Sequence, residues 1–353
     1  MAFTSNELQK DLEVFIQTTV QAEELKMDRN MEMAMQVLGD IFTRINIHEP
    51  RFSCEFSDDS KELKGLYVID NEHMELRIYL DQIELFDIVE TSAPKGATFL
   101  SIKDDRDKPL CVWGEFLTAT GHLSAKKIRD RFQVLLNQTV NRTTWTNRNL
   151  QVVADKLQPR IRINNSLCID IYPSFRNLDF WPKQGRRTFL SEKEGTVFRD
   201  MLKIDLISRP AGSSEPYSTD RDAWQLDFRK LEDEILCNEK KDLCFSVVKT
   251  IAKRCLKPKS FVFDSAIIRT VFLYVCEKHP QDADWTNSNL PDRINSFLLQ
   301  LVACLQSRCL PHYYIRNYNL LESYSNKAFK AALNEAWKLA REFCTNQKFF
   351  KNN

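Results

Sequence analysis

Glycine and proline are scarce in this chain, 8 and 12 among 353 residues. That scarcity excludes a collagen-like repeat and argues against long low-complexity tracts. An excess of one charge sign is also missing: Lys+Arg number 50 and Asp+Glu 49, a formal net charge of +1. Any polyanion-binding surface must therefore be a local patch. No apolar run approaches the ~20 residues that span a bilayer, and no basic stretch followed by an apolar one opens the chain. The ten cysteines show no framework spacing, and several lie inside apolar runs such as 301–305. They read as buried, reduced thiols of an intracellular protein. No strong Lys/Arg cluster marks an import signal; Lys126-Lys127 and Lys240-Lys241 are only pairs. The expected location is nucleus, cytoplasm or both, with no membrane partner.

What is present is material for a well-filled core. Hydrophobic residues make up 43% and 23 are Phe, and the length suits two lobes better than one. From Asn6 to Ile45 apolar residues recur three or four apart, predicting one or two long helices with Ser5 as a cap. Strands are predicted at 65–69 and 74–80, joined at Asp70-Asn71, and at 110–116. A helix over 123–140 is capped by Ser124. A hairpin at 160–163 and 168–172 turns at Asn164-Asn165. Residues 210–216, rich in Gly, Ser and Pro, read as a linker. Beyond them 224–236, 242–254, 264–278, 291–307 and 326–345 read as helices. The pattern is α+β with two lobes, a mixed-sheet lobe over 1–218 that includes the N-terminal helix and a helical lobe over 219–353.

Two carboxylates are placed for chemistry. Side chains alternate along a strand, so His73, Glu75 and Arg77 share a face. Asp170 can face the same cleft from the 168–172 strand. Metal-dependent nucleotidyl transfer needs such hard oxygen ligands to hold ions that bridge a triphosphate. Any solvated sheet also carries acids, so the residues alone leave both readings open. Lys126, Lys127, Arg129 and Arg131, with Lys95, Lys103 and Lys108, offer a polyanion-binding face; a solvated face interleaved with Asp107 and Asp130 is the plainer reading.

A resemblance adds to this. Glu49-Pro-Arg-Phe52, Gly65-Leu-Tyr-Val-Ile69, Tyr79-Leu-Asp-Gln82, the run from Trp113 to Phe132, Trp181-Pro182, Asp222-Ala-Trp224, Cys276-Glu-Lys-His-Pro280, Asp292-Arg-Ile-Asn295, Leu310-Pro-His-Tyr-Tyr314 and Trp337 to Glu342 resemble the Mab-21 family nearly end to end. That family shares the bilobal nucleotidyltransferase fold, with its long N-terminal spine helix, of cyclic GMP-AMP synthase and related receptors. The run from Trp113 to Phe132 is most similar to the developmental, vertebrate Mab-21-like branch.

The resemblance implies site residues one by one. The paired acids of active relatives fall on His73 and Glu75, and the third on Asp170, so Glu75 and Asp170 are the implied catalytic and Mg²⁺-binding residues. The phosphate-cradling Gly-Ser turn falls on Ser60-Lys61. A nucleotide-contacting lysine falls on Lys249, and a base-contacting Ser-Tyr pair on Ser265-Ala266. Imidazole is a poor Mg²⁺ ligand beside oxygen, so the implied site is incomplete. No zinc is expected, because Cys237 and Cys244 have no second Cys pair or nearby His. The expectation is a developmental regulator with a degenerate site, holding a nucleoside triphosphate without efficient turnover and acting through protein partners. The alternatives are an active enzyme, switched on by nucleic acid, and a nucleic-acid-binding module.

Overall fold

The computed structural model describes residues 6–54, 63–104, 106, 111–143, 145, 149–153, 158–186, 203–210, 219–346 and 349–352. In chain order the elements are α1 (Asn6–Phe15), a π-helical turn (Ile16–Val20), α2 (Gln21–His48), β1 (Leu66–Asp70), β2 (His73–Tyr79), β3 (Phe86–Val89), β4 (Ala97–Ile102), α3 (Ala125–Asn141), β5 (Leu150–Val153), β6 (Arg160–Ile163), β7 (Leu167–Leu178), β8 (Ile204–Ile207) and β9 (Trp224–Asp227). Helices α4 (Arg229–Leu236), α5 (Glu239–Cys255), α6 (Ser265–Lys278), α7 (Leu290–Ser307), α8 (Asn326–Thr345) and α9 (Phe349–Asn352) follow. The α+β expectation holds, long N-terminal helix included. The implied cap at Ser5 lies outside the described residues.

Two compact units emerge. One comprises Leu25–Trp181 and Leu202–Phe228; the other comprises Met1–Glu24, Pro182–Met201 and Arg229–Asn353. The first holds the nine strands found among the described residues, with a main path β1-β2-β7-β8-β9-β4-β3 and β5-β6 attached to β7. Among the described residues only β2 and β7 pair in parallel. β7, the longest of these strands, therefore borders its hairpin partner β6 and, from further along the chain, β2 and β8. Helix α3 packs on β7 and β5. Phe132 of α3 stacks on Phe42 of α2 at 6.0 Å. The buried stripe of α2, residues Ala34, Val37, Leu38, Ile41, Phe42 and Ile45, has the predicted helical spacing.

The helical unit is built the same way. Ser325 accepts from the Ala328 amide and Asp264 from the Ile267 amide, capping α8 and α6. Such caps contribute about 1 kcal/mol each. Phe15 of α1 packs on Phe350 of α9 at 5.3 Å, and Lys351 pairs with Asp11 at 3.0 Å.

Two expectations fail for local reasons. Residues 111–116 are not a strand but a turn and a 3-10 helix, Gly114–Phe116. Their donors go elsewhere: the Val112 amide to the Gln82 side chain at 2.8 Å, and Trp113 Nε1 to the Asp81 carbonyl at 2.9 Å. Likewise 224–227 is strand β9, not helix. Trp224, Leu226 and Phe228 alternate with polar residues, a strand period, and pairing with β8 and β4 buries Trp224 fully. Strands β3, β4, β5 and β8 are additions to the predicted set. β8, Ile-Asp-Leu-Ile, is buried throughout and too short to show a period.

Candidate functional site

Motifs far apart in sequence meet in the sheet-bearing unit. Arg51 donates to both Glu49 oxygens at 2.6 and 3.0 Å, to Glu115 at 2.8 Å and to the Val112 carbonyl at 2.5 Å. Its guanidinium lies 5.4 Å from the ring centres of both Trp113 and Phe116. Arg131 reaches Glu49 at 3.1 Å. Beneath this network Phe52 packs on Trp113 at 5.6 Å and on Phe132 at 5.4 Å. Glu49 is held below the usual carboxylate range by the hydrogen bond from Arg51, against the opposing effect of burial. Gly65 belongs to the same logic: its φ is +88°, and a Cβ would sit 2.6 Å from the Arg77 carbonyl. These contacts bind the α2 end, the 111–116 turn and α3 into one unit.

The acid face is a separate place in the same unit. Parallel pairing of β2 with β7 sets Glu75 directly beside Asp170, and His73 beside Cys168. Side chains in register on parallel neighbours share a face. Asp170, only 2% exposed, accepts from His73 Nε2 at 2.8 Å and Gln158 Nε2 at 2.9 Å. It also accepts a fork from Arg160, whose Nη2 lies at 3.0 Å and whose Nε completes the pair. Glu75 accepts from Arg209, whose guanidinium lies 5.0 Å from the Tyr172 ring centre. Tyr172 in turn donates to Gln158 Oε1 at 2.7 Å. Arg77, on the same strand, is buried against Asp205 and Asp227 at 3.4 and 2.9 Å, with Tyr67 over it at 4.2 Å.

Electrostatics follow from those partners. The hydrogen bond to Asp170 raises His73 above its ordinary value, although burial opposes it. Burial pushes the Asp170 carboxyl up, but hydrogen bonds from His73 and Arg160 outweigh it and hold the group below the usual range. For Arg209 burial works against the charge, and the Glu75 carboxylate more than restores it.

The resemblance implies Mg²⁺ here, and the donors can be tested against it. Both carboxylates point to one face, but each already holds a guanidinium. A divalent ion ~4 Å from a guanidinium is repelled by on the order of 8 kcal/mol at an effective dielectric of about 20. That is about what a carboxylate offers in attraction at the same distance. Among the described residues no three His, Cys, Asp or Glu side chains group to hold an ion. As arranged, this face does not fit a divalent cation unless Arg160 and Arg209 leave.

Lys249 of α5 and Ser265, the first residue of α6, belong to the helical unit. Lys249 Nζ lies 5.6 Å from the Phe245 ring centre. Ser60 and Lys61 lie outside the described residues. On α3, Lys126 pairs with Asp130 and Lys127 reaches the Leu117 carbonyl at 2.7 Å. Arg129 points inward, 2% exposed, to the Ser208 and Arg221 carbonyls, and burial pulls it down to about 10. The cations of α3 that reach the surface are thus Lys126, Lys127 and Arg131. Cys237 is exposed and Cys244 buried.

Sequence reasoning passed over Arg160, Arg209 and Gln158. Arg160 had a signal. The hairpin turned at Asn164-Asn165, both at positive φ, puts Arg160 opposite Asp170. Arg209 had none, lying 134 residues from Glu75.

Two family models match the chain in succession. The Mab-21 protein nucleotidyltransferase domain matches residues 63–238. The Mab-21 protein HhH/H2TH-like domain matches residues 240–338.

Proposed function

The chain belongs to the Mab-21 family, and from that premise we propose that it is a regulatory protein on a nucleotidyltransferase fold, one that binds a nucleoside triphosphate without efficient turnover. The observation that carries the reading is the neutralisation of Glu75 by Arg209 and of Asp170 by Arg160. Phosphoryl-type transfer depends on positioning and on metal ions that hold the phosphates. A face whose acids are committed to the chain's own arginines supplies neither. His73, where active relatives carry an acid, reinforces this, since it binds Asp170 rather than adding a ligand. The reading includes a developmental role through protein partners, supported by the resemblance to the developmental Mab-21-like branch, and a place in nucleus or cytoplasm, supported by cysteines without framework spacing. Among the described residues no helix is long and apolar enough to cross a membrane.

The test is paired. Thermal-shift binding of ATP, GTP, CTP and UTP is measured beside a product assay with Mg²⁺ or Mn²⁺ and added nucleic acids. The expected result is nucleotide binding that weakens in Lys249→Ala, with no product from the wild type. Metal-dependent product that disappears in Glu75→Ala would overturn the reading and make the chain an enzyme.

A further inference from the structure

The near-neutral net charge conceals an asymmetry. Residues 229–353 carry 20 Lys+Arg against 13 Asp+Glu, while the whole chain stands at +1. Part of this excess is concentrated on one helix face. The exposed positions along α8 include 327, 330, 334, 337, 338 and 341, spaced by helical turns into one stripe. They hold Lys327, Lys330, Lys338 and Arg341 around Trp337, with no acid among them. Glu335 and Glu342 lie on the flank, less exposed, and Glu342 touches Lys338 only loosely at 3.9 Å. Arg308, closing α7 in a left-handed conformation, donates to the Asn326 side chain and adds a cation at the head of the stripe.

Trp337 is the anomaly. Among the described residues it is the one aromatic in the set of large exposed hydrophobics, at 41% exposed. The core does not need it there. The buried side of α8 is complete with Ala328, Phe329, Ala332, Ala336, Leu339 and Phe343. Helices α7 and α8 run antiparallel, tied by Asn295 to Cys344 at one end and by Arg308 to Asn326 at the other. That register sets Leu299, 45% exposed, at the level of Trp337.

We propose that this stripe docks an acidic protein segment that carries an apolar anchor among its carboxylates. Charge complementarity selects the acid: Lys327, Lys330, Lys338 and Arg341 share the stripe with the tryptophan, Arg308 extends it at the Asn326 end, and no carboxylate lies within it. The single aromatic selects protein over other polyanions. Single-stranded nucleic acid is held by several rings in a groove on which successive bases stack. An anionic membrane requires a broad apolar face. One tryptophan within a charged rim instead has the anatomy of a protein hot spot, in which a central anchor is desolvated and the rim steers.

The experiment uses the full chain and a fluorescein-labelled short peptide of Glu and Asp with a central Leu-Phe pair, read by anisotropy. Single-stranded poly(U) and phosphatidylserine vesicles are run beside it. The expected result is saturable peptide binding that weakens with added salt. Trp337→Ala weakens it at least about tenfold, Trp337→Phe retains most of it, and Lys330→Glu/Lys338→Glu/Arg341→Glu abolishes it. All these positions are exposed, and unchanged melting curves verify folding. Absence of peptide binding, indifference to the Trp337→Ala and charge-reversal variants, or tighter binding of poly(U) or vesicles through the same residues would each overturn the proposal.

Discussion

The Glu49 network and the Glu75 face use the same chemistry, guanidinium on carboxylate, within one unit of the chain. They differ in what surrounds it. Around Glu49 the arginine also lies over Trp113 and Phe116 and satisfies a backbone carbonyl, so the ion pair is one component of an aromatic core. Around Glu75 and Asp170 the acids sit on a strand face, in register, and each is held by a partly exposed arginine of the same unit. The specific motifs thus mark architecture, whereas the face named for chemistry is internally neutralised.

The comparison can be broken most forcefully at Trp113. Trp113→Ala removes a fully buried ring together with its hydrogen bond to the Asp81 carbonyl. A loss of about 3–5 kcal/mol in urea denaturation is expected, with Trp337→Ala, on the surface, within about 0.5 kcal/mol of wild type. Comparable losses from the two would contradict the assignment of Trp113 to the core.

A double-mutant cycle on Glu75 and Arg209 follows in size. Glu75→Leu strands a guanidinium that is only partly exposed, and about 1–3 kcal/mol of stability should disappear. Arg209→Met in that background should restore most of it. Additive losses would mean that the pair does not exist in solution.

How much of this was legible beforehand depends on distance along the chain. The α2 stripe, the Ser124 cap and the Asn164-Asn165 turn were readable because they depend on neighbours a few residues away. The hairpin even fixed the partner of Asp170, since Arg160 stands opposite it. By contrast β9 does alternate, Trp224 and Leu226 inward, but it is four residues long and runs straight into the helix that starts at Arg229, so its period is masked by the longer helical pattern. The parallel pairing of β2 with β7 joins segments almost a hundred residues apart, and Arg209 comes from further still. Composition and period carry no information on such long-range partners, so both acids were visible and the neutralisation of Glu75 was not.

The smallest effect sharpens the comparison through pH. His73 has its folded value raised above the ordinary 6.5 by its hydrogen bond to Asp170. A raised value means that the imidazolium is favoured by folding. Its contribution is therefore full below about pH 6.5 and is lost as pH rises through the folded value. His73→Gln should flatten this part of the stability profile. The Glu49 network has the opposite sign. Its contribution is present above the unfolded carboxylate value and is lost as pH falls through the depressed one. Profiles of His73→Gln and Glu49→Gln should accordingly differ from wild type at opposite ends of the pH range.

The most direct measurement of the central claim is Mn²⁺ binding by calorimetry and electron paramagnetic resonance to wild type and to Arg160→Ala/Arg209→Ala. If the chain's own guanidiniums stand where metal would, the wild type shows no saturable site, and the double variant gains one that Glu75→Gln removes. A stoichiometric Mn²⁺ site in the wild type, lost on Glu75→Gln and indifferent to the two arginines, would contradict the account.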